Sequence, residues 1–582
     1  MTKRQLPEGW RMVRLRDVLS TLESGLRPKG GVRGVLKGVA SIGAEHLNDE
    51  GGFDLSNLRY IPQDFYTRMQ RGRIQAGDIL VVKDGATTGK VSFVPSDWPF
   101  DKSAANEHVF VLRPNREALA EYLFFYLYSP VGQHDIKKSF HGSAQGGINQ
   151  SFAAHVPVPL PPLPVQERIV QILQKADEIR RKAKDALDTV DSALVSLFLH
   201  LLGDPAVNPK GWPTVALGEI IADWQNGFAT GQKEVPAGIP QVRMQNITTR
   251  GWFDATLVRT VQQHRNHDRY VLQHGDVLFN NTNSPELVGK TTIFRESGTW
   301  YLSNHISRIR PAGVTSEYLW GLLLMLWIRG RFRSMCRQWV NQASVSRDEL
   351  LKVKVPLPDE RALVLHKELV NRLEAVRKHL VAKSAQADAL FRGLLTRAFT
   401  GELTADWEAV NAEAIRQRQA FEEQVPRLVA LDLLAEKAAS TAPAAPEAGL
   451  LLTAMMKLLF LVQMKGSARR RFYHFVPYHY GPFAKELYDD LERLQQEGLV
   501  SIEQADEDKT RLMLADADRA RQMVAQLPED LRQDVRTVLD EYGGLTHNQL
   551  LARVYEEFPA YARRSRLRHA AAKKAGTGRS AT

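Results

Sequence analysis

VQERIVQILQKADEIRRKAKDALDTVDSALVSL, residues 165–197, decides how the rest of the chain is read. Val165, Ile172, Ile179, Ala186 and Ala193 fall in one seven-residue register, and Ile169, Ala176, Ala183, Val190 and Leu197 in the other. Such a rhythm is the signature of a coiled-coil seam. The positions between are mostly charged, so only a narrow stripe gains from burial and the helix needs a partner. A weaker version follows about two hundred residues on: Leu369, Leu373, Val376, Leu380, Ala387, Leu390 and Leu394, interrupted by Lys383. The two helices are expected to pair through Val165, Ile169, Ile172, Ile179, Val190 and Leu197 on the first and Leu373, Val376, Leu380, Leu390 and Leu394 on the second.

The flanking sequence is duplicated at the same interval, too long for a solenoid and so a repeated domain. LPEGWRMVRLRDV (6–18) returns as NPKGWPTVALGEI (208–220), and AGDILVVKDGATTGKVSFV (76–94) as HGDVLFNNTNSPELVGKTTIF (274–294). NEHVFVLRP (106–114) returns as SNHISRIRP (303–311), each followed by Glu-Tyr-Leu at the start of an apolar helix. HVPVPLPP (155–162) returns as KVKVPLPDE (352–360), each followed by a long helix. Gly77-Asp78 and Gly275-Asp276 before β-branched runs read as turns feeding strands. The prolines near 157–164 and 356–358 end the strand region and suit the first turn of a helix. Each half is therefore expected to be an α+β domain followed by a long helix.

At 582 residues with a 43% hydrophobic fraction, the chain is too long for one core and is expected to be multi-domain. Its longest apolar run, Leu322 to Ile328, is too short to cross a bilayer, and no signal-peptide pattern opens it, so a cytoplasmic protein without membrane contact is expected. The single cysteine, Cys336, excludes a disulfide framework. A net charge of +11 favours a polyanionic partner. Residues 405–449 read as a helix and then an Ala/Glu/Pro-rich linker, and 450–562 as a further helical unit. The stretch 563–582, basic throughout, reads as a disordered tail.

SPELVGKT at Ser284–Thr291 lies one glycine short of a phosphate-binding loop. Its repeat partner, DGATTGKV, lacks both that glycine and the metal-binding hydroxyl, so a structural turn is expected. NTNSPEL lacks the second proline and the aromatic of an adenine-holding methyltransferase motif. His264, His267 and Asp268 lack a further ligand and read as a polar loop; Asp348, Glu349 and Lys352 read as helix-end charges. No catalytic residue, metal site or cofactor site is expected in this chain.

What remains is suited to nucleic acid, since Lys, Arg, Asn, Gln and Thr in glycine-bounded loops bridge phosphates and read base edges. The candidates are Lys83, Thr87, Thr88, Lys90, Lys102, Lys137, Lys138 and Gln145 in the first half. In the second they are Arg243, Gln245, Asn246, Asn280, Asn281, Asn283, Lys290, Arg308 and Arg333. The two halves share their frame and differ in their loops, as reading two different short sequences would require.

The two Gly-Trp openings, the two Gly-Asp strands, PLPPLPVQERIV before the first long helix and LFRGLLTRAFTGEL at the end of the second together resemble the specificity subunits of type I restriction-modification enzymes, over roughly residues 1–405. The resemblance implies two target-recognition domains, 1–160 and 206–357, and two antiparallel coiled-coil helices, 161–205 and 358–404, that fix the gap between half-sites of double-stranded DNA. It further implies two methylation subunits and restriction subunits as partners, with S-adenosylmethionine, ATP and magnesium held by them. The first helix, at 1.5 Å per residue, spans roughly 55 Å, more than one turn of B-DNA. MMKLLFLVQ with FVPYHYGPFAKELYDDLERLQQEGLV, around Tyr480-Gly481-Pro482, resembles the Panacea-type antitoxin domain and implies a mainly helical, partner-binding module. The alternatives are a fused restriction enzyme with its own nuclease within 405–560, or an antitoxin-like protein-binding scaffold.

Overall fold

The computed structural model describes residues 6–140, 146–230, 235–339, 342–440, 449–468, 470–479, 481–506 and 509–562. They form two compact units, one taking the chain up to Asp177 and again from Leu390, the other running from Glu178 to Ala389. The basic segment 563–582, read as a disordered tail, lies outside the described residues.

The first unit opens with a head built on two sheets. One is antiparallel, in the order Leu19–Ser24, Val109–Pro114, Ile79–Val82, Val91–Phe93. The other runs Arg59–Ile61, Val39–Ile42, Ser103–Ala105, Arg73–Ile74, with Val39–Ile42 parallel to Ser103–Ala105. The second unit repeats this plan. Its antiparallel sheet runs Ile221–Asn226, Ile306–Pro311, Val277–Asn280, Thr291–Ile293, and its smaller sheet again holds a parallel pair, Ile239–Val242 with Tyr301–Leu302. Ile79–Val82 is buried at every position, as a strand covered on both faces must be.

The repeated motifs turn out to be one another's partners. Asp78 of the Gly-Asp turn takes two hydrogen bonds at 2.7 Å from Arg113 of LRP. Asp276 takes the corresponding pair, at 2.6 and 3.2 Å, from Arg310 of IRP. Gly77 and Gly275 have φ of 83° and 91°, a conformation that costs glycine nothing. The tyrosine of each Glu-Tyr-Leu donates to a proline carbonyl of the segment before the long helix, Tyr122 to Pro159 and Tyr318 to Pro356. Those proline segments pair with the opening strands: Arg11–Arg14 with Pro157–Leu160, and Thr214–Ala216 with Lys354–Pro356.

The long helices are Leu163–Leu201 and Glu360–Ala398. In the first unit Val165, Ile169, Leu173 and Ala176, near the start of one, share a core with Phe391, Leu395 and Ala398 at the end of the other. In the second unit Leu194 and Phe198, near the end of the first helix, share a core with Leu363 and Val370 near the start of the second. Both pairings are those of antiparallel helices.

The seam departs from the strict heptad. Val165, Ile169 and Val190 are buried, while Ile172, Leu197, Leu373, Leu380 and Leu394 are half-covered. Ile179, Val376 and Leu390 are 47%, 50% and 54% exposed, which corrects their assignment to the seam. An α-helix drifts about 20° per heptad from a 3.5 repeat. Each helix also packs against its own head, and the covered face shifts to Leu173, Leu194, Phe391 and Leu395.

The third helix, Ala405–Ala439, corrects the expected boundary between linker and accessory domain. Its second half, Val425 to Leu434, is part of the accessory core together with the helices Leu452–Lys465, Glu486–Gln496 and Glu529–Tyr542. The domain also carries a three-stranded sheet, Leu450–Leu451, Lys509–Leu514 and Val500–Asp506, and a hairpin, Val476–Tyr478 with Gly481–Phe483. Among the described residues no helix is long and apolar enough to cross a membrane.

Candidate nucleic-acid interface

The first head gathers several cationic side chains around one cleft. The turn after Ile79–Val82 exposes Thr87, while the Thr88 hydroxyl is used within the turn on the carbonyl of Gly85 at 2.7 Å. Lys83 lies 3.6 Å from Asp84, and Lys90 2.7 Å from Asp49. Thr87 and Lys90 line a cleft of about 510 Å³ with Arg27, Asn106 and His108. Lys102 and Lys137 are exposed, and Lys138 is exposed but bound to Asp135 at 2.8 Å. Gln145 lies outside the described residues.

The other wall of that cleft is a feature missed in the sequence reading. Between Leu19–Ser24 and Val39–Ile42 runs GLRPKGGVRGVLKG, residues 25–38, which exposes Arg27, Lys29, Arg33 and Lys37. No Asp or Glu occurs from Gly25 to Ala44. Gly30, Gly31 and Gly34 have φ of 80–85°, so the loop turns where other residues would be strained. Arg27 is bound to Glu107 at 3.1 Å. Its signal in the sequence is glycine-interleaved cations without a balancing acid, outside the motifs copied in both halves.

In the second head burial removes several candidates from reach of a ligand. Asn280 is fully buried and its Nδ2 donates to the carbonyls of Thr282 and His305 at 3.1 and 3.0 Å. Asn283 Nδ2 donates to Asn280 Oδ1 at 2.7 Å, and Asn281 Nδ2 to Ser307 Oγ at 2.9 Å, so the asparagine run is a self-satisfied network. Asn246 Nδ2 donates to the carbonyls of Asp254 and Leu257. Lys290 is buried, donates to the carbonyls of Met244 and Ile247, and has its pKa lowered by that burial. Buried Arg308 is bound to Asp223 at 2.5 Å and to the carbonyls of Arg269 and Val271. Asn246, Asn280, Lys290 and Arg308 hold the head together and are corrected from contact residues to scaffold.

Gln245 and Arg333 remain exposed, Arg333 at 3.8 Å from Glu286. Arg243 is half-buried, and its backbone N–H donates to Asn246 Oδ1 at 2.8 Å. Exposed Arg265 stands on the polar loop whose histidines pack inward. The His264 ring lies 4.4 Å from Phe228, and His267 Nδ1 is 2.5 Å from the Tyr301 hydroxyl. The loops of the two heads differ in build. Thr282–Asn283 joins Gln342–Ser344 and Arg337–Trp339 in a sheet, whereas at the corresponding place in the first head Asp84 pairs with Gly147 in an isolated bridge.

The chain thus holds two heads whose antiparallel sheets share one strand order, each followed by a long helix and each with its own loops. Residues 7–188 match the family model of the type I restriction modification DNA specificity domain. The chain is similar to the putative type I restriction enzyme MjaX specificity subunit of Methanocaldococcus jannaschii, 26% identical over 225 residues, 38% of this chain and 52% of that protein. It thus spans about half the length of that relative. It is also similar to the type I restriction enzyme EcoKI specificity subunit of Escherichia coli, 22% identical over 440 residues, 71% of this chain and 94% of that one. The crystal structure of a type I restriction-modification S subunit from M. genitalium aligns with 69% of this chain and 98% of its own, at 14% identity and a TM-score of 0.42.

Proposed function

We propose that this chain is the DNA-recognition subunit of a type I restriction-modification system, binding a bipartite duplex site and directing partner subunits to it without catalysing a reaction itself. The observation that carries the reading is the duplication of one head with two different sets of loops. Two copies of a frame with unlike loops suit two unlike half-sites. Exposed cations around the cleft of the first head supply phosphate contacts, and Gln245, Arg265 and Arg333 play that part in the second. The relatives are specificity subunits by name, which supports the same role here.

Partner methylation subunits, two in number, and restriction subunits complete the proposal. S-adenosylmethionine, ATP and magnesium belong to those partners. The stalk helices act as the ruler between half-sites, and the protein works in the cytoplasm. The accessory domain, similar in sequence to Panacea-type antitoxin modules, is read as a protein-binding addition; Tyr480 of its motif lies outside the described residues.

Selection of the full chain against a random duplex library tests this reading. The expected product is two short fixed sequences separated by a gap of constant length. Enrichment of one contiguous motif, or of none, would overturn it.

A further inference from the structure

One turn is built from the same hydrogen bonds in both heads and carries a different exposed side chain in each. It is Ala44–His46 in the first and Met244–Asn246 in the second, at an offset of 200 residues. His46 and Asn246, each 1% exposed, brace it from inside. The backbone N–H of Gly43 donates to His46 Nδ1 at 2.8 Å, and that of Arg243 to Asn246 Oδ1 at 2.8 Å. With Nδ1 accepting, His46 Nε2 carries the proton and donates to the carbonyl of Asn57 at 3.1 Å; Asn246 Nδ2 donates to that of Leu257 at 3.0 Å. The N–H groups of Asp54 and Asp254 close the turn on the carbonyls of His46 and Asn246, both at 2.8 Å. An imidazole and an amide thus do one job, and the residue before them is held in one geometry by two different braces.

That residue is exposed in both heads, Glu45 in the first and Gln245 in the second. The side chain therefore changes from a carboxylate that only accepts to an amide that donates and accepts, while its support is kept. Glu45 stands where two clefts meet. It lines the one of about 510 Å³ that holds Arg27 and Lys90, and another of about 690 Å³ bordered by Asp54 and Arg59. Gly43 leaves room for it, since a Cβ there would come within 2.3 Å of Glu45 Oε2. Its ion pair with Arg59, 3.3 Å from Nε to Oε1, joins side chains 41% and 61% exposed, and such surface pairs hold weakly. A carboxylate is repelled by phosphates; what it can accept from on duplex DNA is the amino group of a base. Gln245 Nε2 donates one hydrogen to the Leu257 carbonyl at 3.1 Å, which orients the amide and leaves its second N–H beside Oε1.

We propose that Glu45 and Gln245 each read one base pair of their own half-site. Glu45 accepts from the N4 amino group of a cytosine, and Gln245 pairs with N6 and N7 of an adenine, the matches that a carboxylate and an amide make in the major groove. The inference rests on the DNA reading above and deepens it, moving Gln245 from the backbone to a base and adding Glu45 as its counterpart. One turn, copied in both heads, then carries one letter of each half-site.

Selection from a random duplex library, repeated with Glu45→Ala, Glu45→Gln and Gln245→Ala in the full chain, tests this. Glu45→Ala should lose a preference of roughly 5- to 100-fold at one position of the first half-site. Glu45→Gln should shift that same position towards adenine. Gln245→Ala should relax one position of the second half-site by a similar factor, and in every variant the other half-site should keep its sequence. Each variant should melt where the parent does, because both side chains are exposed. Parental selection at every position in all three variants overturns the inference and leaves the DNA reading standing. So does one substitution that alters both half-sites, or a variant that melts well below the parent, which would make the residue part of the scaffold. Failure of the parent chain to select any bipartite site overturns the DNA reading, and the inference falls with it.

Discussion

Arg377 Nε donates to Asp191 Oδ1 at 2.9 Å, joining the second long helix to the first across 186 residues of sequence. The same oxygen accepts from Trp252 Nε1 of the second head at 2.6 Å, and the Arg377 guanidinium lies 4.4 Å from the Trp252 ring centroid. Asp191 therefore ties two stalk helices and a head at one point. Its side chain is 8% exposed. Asp191→Ala should leave a half-buried guanidinium and an indole N–H without their acceptor, costing about 2 kcal/mol. Thermal unfolding of the second unit should shift down by several degrees, and Arg377→Ala in the same background should add little, because the two share one interaction.

The structural and contacting polar residues of the heads should separate cleanly by stability. Asn280→Ala removes the acceptor of Asn283 and the donor to two carbonyls, and should cost about 2 kcal/mol or more. Lys102→Ala and Lys137→Ala, on exposed side chains, should stay within about 0.5 kcal/mol of the parent. Denaturant midpoints of the three variants check the division.

His366 gives the second unit a pH dependence. The ring is buried against Phe198 at 5.5 Å between centroids, and neither ring nitrogen has a hydrogen-bond partner. Desolvation lowers its pKa to about 4, against a smaller opposing effect of Glu317. The unfolded chain takes up the proton near pH 6.5, so stability is complete above that pH and falls as pH drops from about 6.5 to about 4. The loss is on the order of 3 kcal/mol at the lower end. His366→Leu should flatten that part of the pH–stability curve; an unchanged slope there would assign the dependence to another group.

Lys457 is buried in the accessory core, its ammonium donating to the Thr453 carbonyl at 2.8 Å, with a pKa pushed down to about 8 by desolvation. A depressed lysine pKa means the folded domain gives up stability as pH falls from about 10.5 to about 8, and by pH 7 the full penalty is in place. Lys457→Met keeps the volume and removes the charge, and should raise the melting temperature at pH 7 by an amount corresponding to about 2 kcal/mol. The gain should shrink at pH 10.

The duplicated fold was readable because its motifs touch. Gly-Asp and Arg-Pro are ion-pair partners, and Glu-Tyr-Leu and the proline segment are hydrogen-bond partners, so chance had little room to copy all four twice. The seam was less readable. A seven-residue count assumes a helix facing one neighbour, and these helices face both a partner and a head, which moved Val376 and Leu390 to the outside. The contact residues were least readable, because residue type does not say whether an amide or ammonium meets solvent or a carbonyl of its own chain. Lys290 and Asn280 have the chemistry of DNA contacts and the surroundings of a core. The helix Ala405–Ala439 hid its second half for a related reason, since its sequence mixes charged and apolar residues until the accessory domain covers one end.

The basic loop of the first head should govern salt sensitivity without governing sequence. Replacing Lys29, Arg33 and Lys37 together by alanine should lower the salt slope of duplex binding by roughly 2 to 3 and leave the selected half-site unchanged. A changed half-site would instead make the loop a reader of bases.

Single-molecule methylation sequencing of host DNA, with this chain present and with it deleted, tests the central claim most directly. Two half-sites at a fixed separation should be methylated when the chain is present and lose that mark when it is removed. Methylation that is indifferent to the deletion, or that marks one uninterrupted sequence, would contradict the claim.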